Sequence, residues 1–104
     1  MIVFHGTTIE NLEAIRRDGL WPGSFVAPNR ALAQDYAYDR AIQLGADGCV
    51  VFELDVPDAA VERVQGWWWT GDQLVLPMGC PASCIVSVDD SDPRPFQAPD
   101  VPER

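Results

Sequence analysis

The segment Cys49 to Val56 constrains this chain more than any other. Val50, Phe52, Leu54 and Val56 alternate with Cys49, Val51, Glu53 and Asp55, and Pro57 closes the run. This period-two alternation describes a β-strand. A chain of 104 residues has room for one core, so the other elements are expected to be built around this strand.

Those elements can be read outward from it. Met1 to Phe4 is a short apolar run, read as a buried strand. His5-Gly6-Thr7 follows, with Thr7 placed to N-cap a helix and Glu10 to complete a capping box. Ile9, Leu12 and Ile15, with Ala14, give that helix an apolar stripe; Arg16 and Arg17 fall in its last turn, before Gly19. Trp21-Pro22-Gly23 is a turn, with Trp21 read as core, and Ser24 to Ala27 a short strand. Pro28-Asn29 opens a second helix from about Arg30 to Leu44, with Leu32, Tyr36 and Ile42 facing inward and Gly45 ending it. Asp58 to Val64 reads as two helical turns capped by Asp58. Gln73 to Leu76 and Cys84 to Val88 are strands joined by the Pro77 to Pro81 turn. The result is a single α+β domain over residues 1–88. Residues 89–104, with four prolines and five acids, read as an acidic, Pro-rich tail.

Charge removes several functional classes. Sixteen acids against seven basic residues give a formal charge of -9, and every basic residue is an arginine. Such a chain does not bind nucleic acid through a basic surface or dock on anionic lipid. No apolar run approaches the ~20 residues of a membrane span. The start Met1-Ile2-Val3-Phe4-His5 lacks the basic region of a signal peptide. Three cysteines suit a reducing compartment. The expected setting is the cytoplasm of a bacterial host, and the expected state a monomer.

The lone histidine, His5, lies at a strand end before a glycine and a helix cap. Strand, His5-Gly6-Thr7, helix and Gly19-Leu20, then Gly23-Ser24-Phe25-Val26-Ala27 leading to Tyr36, together resemble the ADP-ribosyltransferase fold of the poly(ADP-ribose) polymerase type. The resemblance spans about Ile2 to Val88 and implies a minimal split β-sheet with two main helices. It implies that His5 and Gly6, with Thr7 and Phe25, would hold NAD, and that Tyr36 would stack on the nicotinamide ring. In that family a glutamate at the start of a late strand bonds the ribose hydroxyl and stabilises the cation formed as nicotinamide leaves. The matching segment is Asp72-Gln73-Leu74-Val75-Leu76, so Gln73 replaces the glutamate. An amide can still hydrogen-bond a hydroxyl but carries no charge, and charge stabilisation is often the largest catalytic effect. Asp72 would point to the opposite side of its strand. Some members without the glutamate are still mono-transferases that borrow a substrate carboxylate.

A second reading starts from the acids. Glu10 and Glu13, Asp35 and Asp39, and Asp58 and Glu62 form pairs at helical spacing. A one-signed face built from them would resemble a phosphate array and could block a DNA-binding protein. In size, charge and scaffold the chain is also similar to phage anti-CRISPR proteins. The leading expectation is therefore a non-catalytic acidic inhibitor without a cofactor. It would bind the basic DNA-binding surface of a partner such as a CRISPR effector subunit, with Trp68 of the Trp67-Trp68-Trp69 run as an anchor. His5, Tyr36 and Gln73 would then be vestigial. The alternative is an NAD-dependent mono-ADP-ribosyltransferase acting on a protein or nucleic acid. Cys49, Cys80 and Cys84 with His5 make the count for a zinc site, but the spacing fits buried free thiols better, so no metal is expected.

Overall fold

Two antiparallel three-stranded sheets face each other in the computed structural model, which describes residues 1–65 and 72–89. The strands are β1 (Ile2–Thr8), β2 (Ser24–Val26), β3 (Cys49–Asp55), β4 (Glu62–Gln65), β5 (Asp72–Leu76) and β6 (Ile85–Asp89). The helices are α1 (Leu12–Asp18) and α2 (Arg30–Leu44). One sheet has the order β1-β3-β6 and the other β2-β5-β4. A two-residue bridge joins them: the Phe4 and Ala27 amides each donate to the other's carbonyl, at 2.8 and 2.7 Å.

The β1–β3 register explains which residues share a face. Val3, His5 and Thr7 lie opposite Leu54, Phe52 and Val50, while Phe4, Gly6 and Thr8 lie opposite Glu53, Val51 and Cys49. Of the first set, Val3, Val50, Phe52 and Leu54 pack with Val26, Leu74 and Leu76 of the second sheet and with Ile9, Leu12 and Ile15. The second set lies under α2. Phe52 and Leu54 have no exposed surface, and each such side chain contributes about 1.5–3 kcal/mol. The strand expected over this segment is thus observed, and the structure buries it on both faces.

Helix α2 also forms where its pattern placed it. Its cap is Asn29, whose Oδ1 accepts from the Leu32 amide at 2.8 Å. Its inward stripe differs from expectation: Ala33, Ala37 and Ala41 are fully buried, Leu32 and Tyr36 are only partly so, and Ile42 is 58% exposed. Gly6 supplies the reason. A Cβ there would stand 1.9 Å from the Ala33 carbonyl oxygen and 3.1 Å from the Ala37 Cβ. Helix and strand backbones approach so closely that only small residues fit between them.

Four other expectations are corrected. Thr7 does not cap a helix, because β1 continues through Thr8 and α1 starts only at Leu12, after a 3-10 turn at Ile9–Asn11. The Thr7 hydroxyl instead accepts from Asn11 Nδ2 at 2.8 Å. Asp58 to Val64 is not helical: a 3-10 turn at Asp58–Ala60 gives way to β4, which pairs with β5. Sheet pairing there outweighs a local helix signal too short to be stable alone. Cys84 belongs to the 3-10 turn Ala82–Cys84, and β6 begins at Ile85. Trp21 is 79% exposed rather than core, because its neighbour Leu20 takes the inward position. Trp67 to Trp69 and residues 90–104 lie outside the described residues; Asp89 closes β6 opposite Val51.

Among the described residues no helix is long and apolar enough to cross a membrane. The Gly6 contact is open to test. Gly6→Ala is expected to cost about 3 kcal/mol or more in urea unfolding, since α2 must lift off the sheet. Gly23→Ala meets no atom within 4 Å but has a φ of 86°, so its cost should be nearer ~1 kcal/mol. Equal losses at the two sites would contradict this account.

Candidate functional site

A groove of about 290 Å³ is lined by β1, α1 and the chain that follows the helix. His5, Asn11, Arg17, Asp18, Trp21 and Ser24 are among its lining residues. His5 reaches it because its strand phase is that of Val3 and Thr7, the face turned away from α2. Helix α1 has only seven residues, so the core-facing side of β1 is left partly open beside it.

The chain after α1 is tightly fixed. Gly19, with a φ of 82°, is backed by the Cys80 carbonyl oxygen, which would stand 2.1 Å from a Cβ. Leu20 exchanges hydrogen bonds with Cys80 at 2.9 and 3.1 Å. The Trp21 carbonyl accepts from both the Ser24 amide, at 3.2 Å, and the Ser24 hydroxyl, at 2.7 Å.

His5 is held by one strong contact. Its Nδ1 lies 2.7 Å from the Phe25 carbonyl oxygen. A carbonyl only accepts, so Nδ1 carries the proton and Nε2 is the acceptor of the neutral ring. Burial pushes the imidazole below its usual range, while the Phe25 bond works in the opposite direction. Arg17 and Asp18 meet side by side, with Nε on Oδ1 at 3.1 Å and Nη2 on Oδ2 at 2.9 Å. That pair holds the Asp18 carboxyl below its usual range and raises the guanidinium. Arg17 and Asp18 together leave this part of the groove wall with no net charge.

The residues singled out from the sequence are only partly gathered. Gln73 and Tyr36 do meet: Gln73 Nε2 donates to the Tyr36 hydroxyl at 3.1 Å. His5 and Phe25 meet through the ring-to-carbonyl bond. Thr7 lines the groove, but Phe25, Tyr36 and Gln73 do not. Gly6 is covered by α2 at Ala33, so that face of the glycine is not open to a ligand.

The acids are dispersed over several elements. Glu10 is exposed in the 3-10 turn, and Glu13 lies 3.5 Å from Arg16. Asp35 and Asp39 are exposed on α2. Asp58 lies 3.2 Å from the N-terminal ammonium, as does Asp55 at 3.7 Å. Glu62 is exposed on β4, so Asp58 and Glu62 are not a helical pair. Glu53 and Asp89 both meet Arg30 at 3.4 Å. Trp68 lies outside the described residues. Cys49 and Cys80 are buried and Cys84 partly so, all as free thiols. Burial raises the Cys80 thiol, which also hydrogen-bonds Cys84. Among the described residues no group of three His, Cys, Asp or Glu side chains could hold a metal ion.

Sequence reasoning missed Asn11, Arg17, Asp18, Trp21 and Ser24 as groove residues. A signal was present in Gly19-Leu20-Trp21-Pro22: once Leu20 goes inward, alternation sends Trp21 out. No family model matches the chain, and no curated protein matches it.

The His5 ring predicts a pH effect of definite sign. Its folded pKa lies below 6.5, so between that pKa and 6.5 the unfolded chain binds more proton at this residue. Its contribution to stability is therefore complete above about pH 6.5 and falls as the solution is acidified through that window. Denaturant melts of wild type and His5→Gln from pH 7.5 to 5 should show a steeper loss in the wild type. Parallel curves would contradict the assignment.

Proposed function

We propose that this chain is a nucleotide-binding domain of the ADP-ribosyltransferase kind, which takes the nucleoside portion of an NAD-type ligand in the groove beside His5. The observation that carries the reading is the fixed His5 ring on the groove wall. The Phe25 carbonyl anchors Nδ1–H, so Nε2 is left to accept a hydroxyl of the sort a ribose presents. Two small antiparallel sheets with two helices support the reading, since the His5-Gly6-Thr7 resemblance implies a split sheet with two main helices. At about 290 Å³ the groove lies at the lower end of small-ligand sites. It fits one nucleoside rather than a whole dinucleotide.

NAD would supply an activated ribosyl group, whose bond to nicotinamide breaks with the electron pair leaving on the ring. What the chain's own residues contribute is binding and orientation. Gln73 spends an amide hydrogen on Tyr36, which leaves its oxygen as a neutral acceptor. Gln73 lies outside the groove and carries no charge to stabilise the cation formed as nicotinamide leaves, so transfer by this chain would be slow. Calorimetric titration of NAD into wild type and His5→Ala tests the reading. Binding in the micromolar to millimolar range that is lost in the variant is expected. No binding by the wild type would overturn it.

A second reading, an acidic inhibitor of a basic nucleic-acid-binding protein such as a CRISPR effector subunit, is favoured by Asp35 and Asp39. Both are exposed, one turn apart on α2, in a chain of formal charge -9. In this reading the Asp35→Lys, Asp39→Lys double variant would lose inhibition of such a partner. His5→Ala would keep it, and added salt would weaken binding steeply. Unchanged inhibition by the double variant would discard this reading.

A further inference from the structure

We infer that Trp21 is the ring platform of the groove, and that the class of ligand it selects is a nucleotide whose base stacks on the indole. The inference rests on the nucleotide-binding reading above and deepens it, because nothing in the resemblance assigns a role to this residue.

Three observations converge on Trp21. The residue is 79% exposed, although indole is among the largest apolar surfaces a side chain offers and is usually well buried. It lines the same groove as His5. Its backbone is fixed from both sides, by the Leu20–Cys80 hydrogen bonds before it and by the Ser24 bonds to its own carbonyl. With its backbone already fixed, the residue has only its side-chain rotamers left to order when a flat ligand covers the exposed ring.

The charges of the groove point to the base rather than the phosphate as the principal contact. Arg17 is the guanidinium on the groove wall, and two of its nitrogens already bond the two oxygens of Asp18. The chain as a whole carries a formal charge of -9. A polyphosphate would therefore meet a neutralised cation in a repelling field. A base stacked on Trp21, with its ribose hydroxyl near His5, uses groups that remain available. Stacking is tolerant of base identity, because every base presents a π-face.

The test compares three proteins, wild type, Trp21→Ala and Trp21→Phe, by calorimetry with NAD, AMP, nicotinamide mononucleotide, adenosine and ribose 5-phosphate. Truncating a base-stacking aromatic typically lowers affinity by roughly 5- to 150-fold. A loss in that range is expected for Trp21→Ala with the base-bearing ligand that binds best, and Trp21→Phe should recover most of it. AMP and nicotinamide mononucleotide distinguish which base is taken. Adenosine should bind within about threefold of AMP if the phosphate adds little. Ribose 5-phosphate should bind more weakly than any base-bearing ligand and be indifferent to the substitution. Because Trp21 is exposed, the variants should keep the wild-type melting temperature, so a lost affinity is not a lost fold. Wild-type binding that survives Trp21→Ala unchanged would overturn the platform and leave the groove reading standing. Absence of binding by the wild type to all five ligands would overturn both.

Discussion

The close backbone approach between α2 and β1 at Gly6 sets how the long helix lies on its sheet. A Cβ at that position would fall 1.9 Å from the Ala33 carbonyl oxygen, so the helix can lie directly on the strand only because none is present. That contact explains the alanine stripe of α2 and commits Phe4, Gly6 and Thr8 to the helix side. By strand alternation, Val3, His5 and Thr7 are sent to the opposite face. There they meet the second sheet and α1, and His5 comes to line the groove.

Polar groups at the seam between the two sheets are paired locally. Phe4 and Ala27 exchange backbone hydrogen bonds, the next residue, His5, bonds Phe25, and Gln73 bonds Tyr36. Unpaired polar groups in such a partly buried place would each cost about 1–3 kcal/mol. These bonds therefore fix the imidazole tautomer and the amide orientation as well as supporting the fold. Arg30 plays a similar bracing part on the α2 side, stacked 5.2 Å from the centre of the Phe4 ring and reaching Glu53 and Asp89.

The negative charge is less uniform in space than in the sequence. Arg16, Arg17, Arg30 and the N-terminal ammonium each meet one or two of the carboxylates. Exposed pairs of this kind add little stability, but they alter the local field. The groove wall, with Arg17 against Asp18, is the clearest case. Asp35 and Asp39 are exposed on α2, with the fully buried Ala33, Ala37 and Ala41 on its other side.

Much of the fold was legible in the residues alone. The alternation of Cys49 to Val56 marked a strand, but its burial on both faces was decided by what packs on either side of it. Asn29 and Gly45 bounded the long helix, since capping chemistry is local. The α+β class followed from these, and His5 stood out as the one imidazole at a strand end. Local rules failed where a distant segment supplied the deciding contact. Thr7 became strand because Val50 was there to pair with it, and Glu62 became strand because Val75 was. Ile42 lost the inward position because the Gly6 contact admits only small residues. Trp21 was driven outward because Leu20 bridges to Cys80, sixty residues away along the chain. The groove itself was invisible in the sequence, since its walls come from β1, α1 and the chain beyond, and only tertiary packing brings them together.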